Sequence, residues 1–271
     1  MATNILTIGQ SALAAAQVGI SVTGHNIANA ATPGYSRQEV IQSAALAQDF
    51  GYGYIGQGTV VSNIRRIYSD LLAQQLNTAQ STSSATSTYA AHMAQIDNML
   101  ADPAAGLSPS IQKFFSSIQA LSSNPGDAAT RQAMLSSANS LVGRFQSLGD
   151  RLNEIRDAFN NELATNTQQV TGYAAKIAQL NDVISKAVGA NKDNLPNDLM
   201  DQRDQLVAEM SKLVKTTVNA QDDGSYNLFI GNGLPLVVGS KSYGLTTVRS
   251  TKDTGRVEVA YVSNMVKPLG D

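Results

Sequence analysis

Hydrophobic residues in the N-terminal segment recur every seven positions, in the pattern of a helix that packs against another helix. Large apolar side chains hold one position of the repeat: Leu6, Leu13, Ile20 and Ile27. Small residues hold the position three further along the chain: Gly9, Ala16, Thr23 and Ala30. The spacing predicts one helix over residues 2–30, with a seam of large and small residues that a partner helix can approach closely.

This leading helix is predicted to be weak on its own. Three glycines, Gly9, Gly19 and Gly24, each cost about 1 kcal/mol of helix stability relative to alanine. The first charged residue of the chain is Arg37, so the helix is uncharged and suits a crowded, buried position. We therefore expect the segment to be poorly ordered in the monomer and to fold on assembly. The alternative is an ordinary amphipathic helix that docks on its own domain.

Turns and extended segments follow this helix. Pro33 cannot continue a helix and favours extended geometry at Thr32, and Gly34 permits the turn that comes next. Residues 36–42 are then predicted to be extended, and the glycines of residues 50–61 suit turns or close backbone contacts.

Helical spacing of apolar residues returns at Asn63 and predicts two further helices. The first is expected to bend or loosen at residues 81–84, because serine and threonine are weak helix formers. Its apolar side consists of Ile64, Ile67, Leu71, Ala79, Met93, Ile96 and Leu100. The second is expected to have Ser108 as its N-cap and Pro109 at its first position. Its apolar stripe consists of Ile111, Phe114, Phe115, Ile118 and Leu121.

The strongest periodicity predicts a long helix with Asp127 as its cap. Apolar spacings of three and four alternate through Ala138, Leu141, Phe145, Leu148, Leu152, Ile155 and Phe159, and again through Leu163, Asn166, Val170, Tyr173, Ile177, Leu180, Ile184 and Ala187. The step from Phe159 to Leu163 is a stutter, which locally relaxes a left-handed supercoil. Asn166 either fixes the register or merely tolerates the stutter. A helix of about 60 residues would span roughly 90 Å, so a rod is expected.

A shorter helix is predicted over residues 198–215, after a loop at residues 189–196. Its inward side is Leu199, Leu206, Met210 and Leu213, and its charged cluster is Asp201, Arg203, Asp204 and Glu209. The mixed signs favour a solvated face on which Arg203 neutralises its neighbours. From Thr216 the hydrophobic period changes to two. The predicted strands are residues 216–220, 226–230, 234–238, 245–249 and 256–262, arranged as an antiparallel meander.

Together these elements predict a mainly α chain with a small β region, in the α+β class. We expect an elongated antiparallel helical rod with long, coiled-coil-like helices, capped by the β meander. Three domains follow from the pattern. Residues 1–62 hold the assembly helix and the extended segment, residues 63–215 form the helical rod, and residues 216–271 form the β-rich region.

Composition argues against several classes of function. The 271-residue chain has a net charge of −2 and lacks the positive patch that nucleic acid or a membrane surface requires. It has no cysteine, and its two histidines, His25 and His92, lie on different predicted helices, so no disulfide or zinc site is expected. Residues 51–56 match a dinucleotide fingerprint only in their letters. We predict no cofactor and no catalytic residue, and therefore no enzyme. We also predict no cleavable export signal and no membrane span.

Several stretches of the chain resemble flagellar axial proteins. Residues 11–13 and 25–38 are similar to the N-terminal signature of rod, hook and hook-associated proteins. The signature residues singled out here are Asn26, Asn29, Thr32, Pro33, Gly34 and Tyr35. More specific likeness to the hook-associated protein 1 family is carried by residues 35–38, 114–115, 121–127, 129–132 and 196–207, and runs to about Gly239.

The resemblance implies a structural adaptor that joins the flagellar hook to the filament. In that family the N-terminal helix pairs with a C-terminal helix in the inner wall of the axial tube. It follows by resemblance that the large seam residues face that partner: Leu6, Leu13, Ile20 and Ile27. Because this chain ends without such a second helix, it is expected to be an N-terminal portion of a longer protein.

The resemblance also implies a location and a set of partners. The protein would be secreted through the flagellar type III export apparatus and would lie outside the cell, in the flagellum. Its partners would be the hook protein, a second junction protein and further copies of itself in a helical assembly. The full-length protein would also bind an export chaperone.

The residues alone leave a second interpretation open. The chain could form the coiled-coil stalk of a signalling or adhesin protein, with the β-rich region as a binding head. That interpretation predicts a parallel self-dimer of the long helix, whereas the junction interpretation predicts a monomer whose helices fold back on themselves. Sedimentation distinguishes the two.

Overall fold

The computed structural model describes residues 2–101, 106–191, 194–231, 233–262 and 267–268. Within these residues the chain is mainly helical with a small antiparallel β region, which confirms the predicted α+β class. Contacts divide the chain into two compact units. The first comprises Met1–Thr82, Gln169–Leu245 and Val262–Asn264, and the second comprises Ser83–Gln168, Thr246–Tyr261 and Met265–Asp271.

The described residues contain five helices. In chain order they are α1 (Ala2–Ala28), α2 (Asp70–Leu100), α3 (Leu107–Ser123), α4 (Ala128–Ala190) and α5 (Asn197–Leu213). As predicted, α1 is a single helix, and α4 is the long one, with 63 residues. At the usual helical rise, α4 is about 95 Å long.

Short antiparallel strands make up the β region. β1 (Gln38–Ala44) pairs with β4 (Thr59–Arg66), and β2 (Gln48–Asp49) pairs with β3 (Tyr54–Ile55). One sheet joins β5 (Thr216–Ala220), β6 (Tyr226–Ile230), β7 (Leu234–Val238) and β8 (Lys241–Ser242) in that order. Another joins β9 (Leu245–Arg249), β10 (Val257–Tyr261) and β11 (Lys267–Pro268). The predicted meander corresponds to the sheet of β5 to β8, and the sequence pattern did not separate the second sheet from it.

In the first unit, α1 packs on the hairpin of β1 and β4. Ala15 is the most deeply buried residue of the helix, and Ser11 accepts a hydrogen bond from the backbone N–H of Thr59 at 3.3 Å. A close approach is possible because Gly58 has a φ of +93° and no side chain to strike Ser11. The hairpin therefore supplies packing that a glycine-dotted helix lacks by itself.

The hydrophobic core of the first unit lies among the C-terminal half of α4, α5 and the sheet of β5 to β8. Strand β6 turns alternate side chains inward, with Leu228 fully buried between Tyr226 and Ile230. The helices contribute further buried side chains: Val170, Ala174, Ile177, Ala178, Ile184, Val188, Val207 and Met210. This core holds α5 firmly, and α5 carries the polar residues on which the site depends.

The second unit combines part of α2, α3 and the N-terminal half of α4. The hydroxyl groups of Ser117 and Ser137 share a hydrogen bond of 2.6 Å between α3 and α4, and the rings of His92 and Phe159 lie 4.1 Å apart between α2 and α4. Asn160 binds the loop before β10 by donating to the carbonyl of Gly255 at 2.9 Å. Polar contacts thus supplement a thin apolar core.

One prediction about α2 is wrong. The helix does not begin at Asn63, because residues 59–66 form β4 and pair with β1, a partner that helical spacing cannot reveal. Residues 81–84, where the helix was expected to bend or loosen, lie within the unbroken helical segment Asp70–Leu100. There the hydroxyl of Thr82 donates to the carbonyl of Thr78 at 3.0 Å, so the side chain is satisfied within the helix.

The start of α3 also differs from the prediction. The N-cap is Gly106 rather than Ser108, and no side-chain hydrogen bond caps the helix. Phe115, assigned to the apolar stripe, is 62% exposed. The predicted cap of α4 is confirmed, because the backbone N–H of Ala129 donates to Asp127 Oδ1 at 3.1 Å.

Replacing this capping residue, Asp127→Ala, is expected to lower the free energy of unfolding of the second unit by about 1 kcal/mol, because one N–H group at the start of α4 loses its partner. Urea denaturation followed by circular dichroism measures the loss. The matched control is Asp150→Ala, which removes an exposed carboxylate from the interior of the same helix and should cause no loss. Equal losses would contradict the capping role.

Candidate assembly site

Helix α1 has an exposed apolar face. The large residues of the predicted seam are all exposed: Leu6 74%, Leu13 61%, Ile20 74% and Ile27 73%. With 3.6 residues per turn, this face lies opposite the one that holds Ala15 against the hairpin. The helix therefore docks on its own chain through one side, as the amphipathic alternative expected, and keeps its seam exposed on the other.

The same helix is apolar enough to meet a length and composition criterion for crossing a membrane. Ile5–Ala28 has a mean hydropathy of 1.5 and is mostly unburied. A helix that becomes surrounded by other subunits needs the same uncharged composition, because unpaired charge is costly when buried.

Asn26 holds the end of α1 against the start of β1. Its Nδ2 donates to the carbonyl of Gln38 at 2.9 Å, and its Oδ1 accepts from the backbone N–H of Gln38 at 2.8 Å. The same oxygen accepts from the hydroxyl of Tyr35 at 2.7 Å. One amide side chain thus satisfies both backbone groups of a strand residue, as a neighbouring strand would do.

The remaining signature residues complete a tight corner between α1 and β1. Asn29 Nδ2 donates to the carbonyl of His25 at 3.0 Å, and the hydroxyl of Thr32 donates to Asn29 Oδ1 at 3.3 Å. Gly34, which follows Pro33, has a φ of +79° and lies directly against Gln205 of α5. The corner requires these residue types because the chain must leave the helix, reverse and rest on a neighbouring helix.

The ten residues predicted for the assembly site thus fall into two groups. Four lie on the exposed face of α1, and six lie in or beside the corner: Asn26, Asn29, Thr32, Pro33, Gly34 and Tyr35. Asn26 lies on a different side of α1 from the seam, and Asn29 follows the end of the helix. The contacts of the corner are intramolecular, and the assembly role of both groups stays a prediction.

The charged cluster on α5 is not a solvated face, and this prediction is wrong. Asp201 is 5% exposed and Arg203 is fully buried, whereas Leu213, which was expected to face inward, is 37% exposed. The buried side of α5 contains Asn197, Asp201, Arg203, Val207, Met210 and Ser211. Mixed charge suggested solvent, but Asp201, Arg203 and Asp204 each bind a partner on another element. Only Glu209 pairs within α5, with Lys212.

Arg66, the last residue of β4, is the partner of the two aspartates. Its Nη1 donates to Asp201 Oδ1 at 2.9 Å and also to Asp204 Oδ2. Burial alone would lower the pKa of Arg66, but the carboxylates of Asp204 and Asp201 raise it above its ordinary value. Burial, with a further contribution from Asp204, raises the pKa of Tyr68, whose ring lies 4.1 Å from the guanidinium of Arg66.

Arg203 does not neutralise its helix neighbours but ties α5 to the core. Its Nη1 donates to Asn181 Oδ1 at 3.1 Å and to the carbonyl of Gly224 at 2.6 Å. Its guanidinium carbon lies 3.4 Å from the centroid of the Tyr226 ring. Burial lowers the pKa of Arg203, but an arginine stays protonated at any physiological pH. Sequence reasoning missed Asn181, although it shares a helical stripe with Ile177 and Ile184.

A cavity of about 640 Å³ lies between the corner, α4 and α5. Its walls combine apolar side chains such as Leu180 and Val183 with polar ones, including His25, whose Nε2 lies 3.4 Å from Asp198 Oδ1. Among the residues that the structure describes, no group of three or more histidine, aspartate or glutamate side chains could hold a metal ion. The arrangement is suited to holding elements together.

Comparison with known proteins identifies the family. The model of the flagellar hook-associated protein FlgK helical domain matches residues 93–269, and that of the flagella basal body rod protein matches residues 6–35. Flagellar hook-associated protein 1 of Salmonella typhimurium is 40% identical over 259 residues, which are 96% of this chain and 47% of that protein. The Escherichia coli protein of the same name is 37% identical over the same shares, and the Bacillus subtilis one is 28% identical over 88% of this chain.

A solved structure agrees with these relatives. The flagellar hook junction protein FlgK from Burkholderia pseudomallei superposes with a TM-score of 0.65 and 34% identity, covering 72% of this chain and 35% of that one. This chain spans about half the length of the curated relatives it matches. The resemblance inferred from the signature residues is confirmed: the chain belongs to the flagellar hook-associated protein 1 family.

Proposed function

We propose that this chain is part of a structural adaptor between the hook and the filament of the bacterial flagellum. The observation that carries the proposal is the exposed, uncharged seam of α1, on a helix whose other side is already bound to its own hairpin. An exposed apolar face of this kind is typical of a surface that binds a partner, here a partner helix. Membership of the hook-associated protein 1 family supports a partner within the flagellar axial structure.

The adaptor acts through packing rather than through chemistry. Each large seam residue that becomes buried against a partner helix contributes about 2 kcal/mol, so four of them give a firm contact once it is repeated from subunit to subunit. Small residues at the alternate positions, such as Gly9 and Ala16, let the two backbones approach.

Location and partners follow from the same proposal. The protein leaves the cell through the flagellar type III export apparatus and lies outside the cell, at the junction. It contacts the hook protein, a second junction protein and copies of itself, and the full-length protein binds an export chaperone. We keep the predicted division into an assembly segment (residues 1–62), a helical part (63–215) and a β-rich part (216–271), and we infer that none of them is catalytic.

Complementation of a strain that lacks this gene tests the seam. The double substitution Leu13→Asp and Ile20→Asp in the full-length gene is expected to abolish swimming motility, because two charges would be buried in the packed interface. Cells should still build hooks but should release filament subunits into the medium. Hooks are counted by electron microscopy, and released subunits are measured by immunoblot.

The control is Ser21→Asp, which adds a charge to the same helix at an exposed position beside the seam. It should restore motility to a much greater extent than the double variant. If Ser21→Asp abolishes motility equally, the helix rejects any charge and the seam assignment is overturned. For the coiled-coil stalk interpretation, sedimentation of the purified chain as a dimer would be the supporting result.

A further inference from the structure

We propose that Asp201 is a positioning residue, which fixes the direction in which α1 presents its exposed seam. Its consequence for assembly rests on the proposed function, but the placement itself is a property of the isolated chain. All the elements involved belong to the first compact unit: α1, the hairpin of β1 and β4, and α5.

A single carboxylate binds both strands at the base of the hairpin. Oδ2 of Asp201 accepts from the backbone N–H of Ser36 at 2.9 Å, two residues before β1 begins. Oδ1 accepts from Arg66 Nη1 at 2.9 Å, where β4 ends. The pairing register places Gln38 opposite Arg66, so the chain enters and leaves the hairpin at this one point. Movement of the hairpin base relative to α5 would break both bonds together.

Burial gives these two bonds their weight. The side chains of Arg66 and Asp201 are only 8% and 7% exposed, so the pair is shielded from water and from salt. Asn197 adds a neutral bond from α5 to the same strand, donating to the carbonyl of Ile64 at 2.7 Å. Breaking a buried ion pair from one side is far more disruptive than losing an exposed one, because the other charge stays buried.

The hairpin in turn carries α1. Asn26 bonds both backbone groups of Gln38, and Ser11 accepts from Thr59, so the helix is attached near both ends of its buried face. A route of direct contacts therefore leads from α5 through the hairpin to α1. The first element of this series, α5, is itself held in place, because Arg203 binds Asn181 in the core of the unit.

Asp198 provides the contrast, because it also reaches the N-terminal segment but does so at the surface. It accepts from Gln38 Nε2 at 2.8 Å and lies 3.4 Å from His25 Nε2, yet its side chain is 59% exposed. Exposed contacts of this kind contribute little. If the placement of α1 depends on buried contacts rather than exposed ones, Asp201 controls it and Asp198 does not.

Distance measurements by double electron–electron resonance test this on the purified 271-residue chain. The chain has no cysteine, so nitroxide labels can be attached at Ser21→Cys on α1 and Gln169→Cys on α4, both exposed positions of the first unit. The unsubstituted background should give one narrow distance. Asp201→Asn replaces an acceptor oxygen by an NH₂ group that faces another donor. The population of molecules in which the hairpin base is detached from α5 should therefore rise about 100-fold, and the distribution of label distances should broaden.

Two further variants make the test decisive. Asp198→Asn should leave the distance narrow, and Arg66→Lys, which keeps the charge on a shorter side chain without the planar guanidinium, should broaden it partially. In all variants the amides of β6 should keep their protection from hydrogen exchange, because the core is untouched. A merely structural role would lower that protection.

The proposal is overturned by a narrow distance in Asp201→Asn, or by equal broadening in Asp198→Asn. It is also overturned if Asp201→Asn and Arg66→Lys both lose protection throughout β6, because the cluster would then hold the fold and not the direction of α1. Since the distance is measured in the isolated chain, failure of the seam variants in cells would leave this result unaffected.

Discussion

Asn181→Ala is expected to lower the free energy of unfolding of the first unit by about 3–5 kcal/mol, the largest loss we expect from one substitution in this chain. Asn181 is fully buried in α4, in the stripe of Ile177 and Ile184. Its small volume means that packing accounts for the lesser part of the loss. The greater part comes from the groups it leaves behind.

Four hydrogen bonds end on this side chain. Its Nδ2 donates to the carbonyls of Tyr226 and Gly239 at 2.8 and 2.7 Å. Its Oδ1 accepts from the backbone N–H of Tyr226 and from Arg203 Nη1, both at 3.1 Å. Alanine would leave these groups without their partner in the core, and each unsatisfied buried group costs about 1–3 kcal/mol. Partial entry of water keeps the total below the sum.

Hydrogen exchange of the β6 amides under native conditions measures this loss within the first unit. The matched control is Asn219→Ala, the same chemical change at an exposed position of β5 in the same unit, and it should alter stability by less than about 0.5 kcal/mol. A loss below about 1 kcal/mol in Asn181→Ala would show that the four bonds do not hold the sheet to the helix.

Sequence reasoning succeeded where one element determines its own pattern. The bounds of β5, β6 and β7 are those predicted, because alternation with a period of two is visible within five residues. α4 was found for the same reason, since its apolar residues recur over its whole length. The exposed seam of α1 could also be located, because its spacing alone defines a helical face.

The failures share one physical cause, which is that a partner distant in sequence decided the outcome. Residues 59–66 contain both helical and extended spacings, and pairing with β1 selects the strand. Asp201 and Arg203 were assigned to solvent because mixed charge is usually exposed. Their partners, Arg66 and Asn181, are far away along the chain, so no local pattern indicates them.

The corner shows an intermediate case. Pro33 and Gly34 predicted a turn after α1, and the structure has a turn at these residues. The sequence could not show that Asn26 closes it by binding Gln38, twelve residues away, although the residue was singled out by resemblance. A resemblance can therefore single out residues before the contacts that they make are known. Here those contacts are structural, and they hold the seam-bearing helix to its own hairpin.

Gly34→Ala is expected to destabilise the first unit by about 2–4 kcal/mol, whereas Gly24→Ala on α1 should stabilise it by up to about 1 kcal/mol. Gly34 has a φ of +79°, where any other residue is strained. An added Cβ would also lie 2.6 Å from Gln205 Oε1 and 2.8 Å from Gln205 Cβ. The second atom is attached to the backbone of α5 and cannot swing away, so the corner itself would have to move.

The glycine pair makes this a test of geometry rather than of composition. Gly24 is helical and exposed, and an added Cβ meets nothing within 4 Å, so the same substitution there only removes the flexibility of glycine. Hydrogen exchange of the β6 amides, followed at increasing urea concentration, compares the free energies of unfolding of the first unit in the two variants. Equal effects, or stabilisation by Gly34→Ala, would mean that the corner does not rest tightly on α5. A selective loss would show that Gly34 is needed by the folded chain itself, before any partner binds.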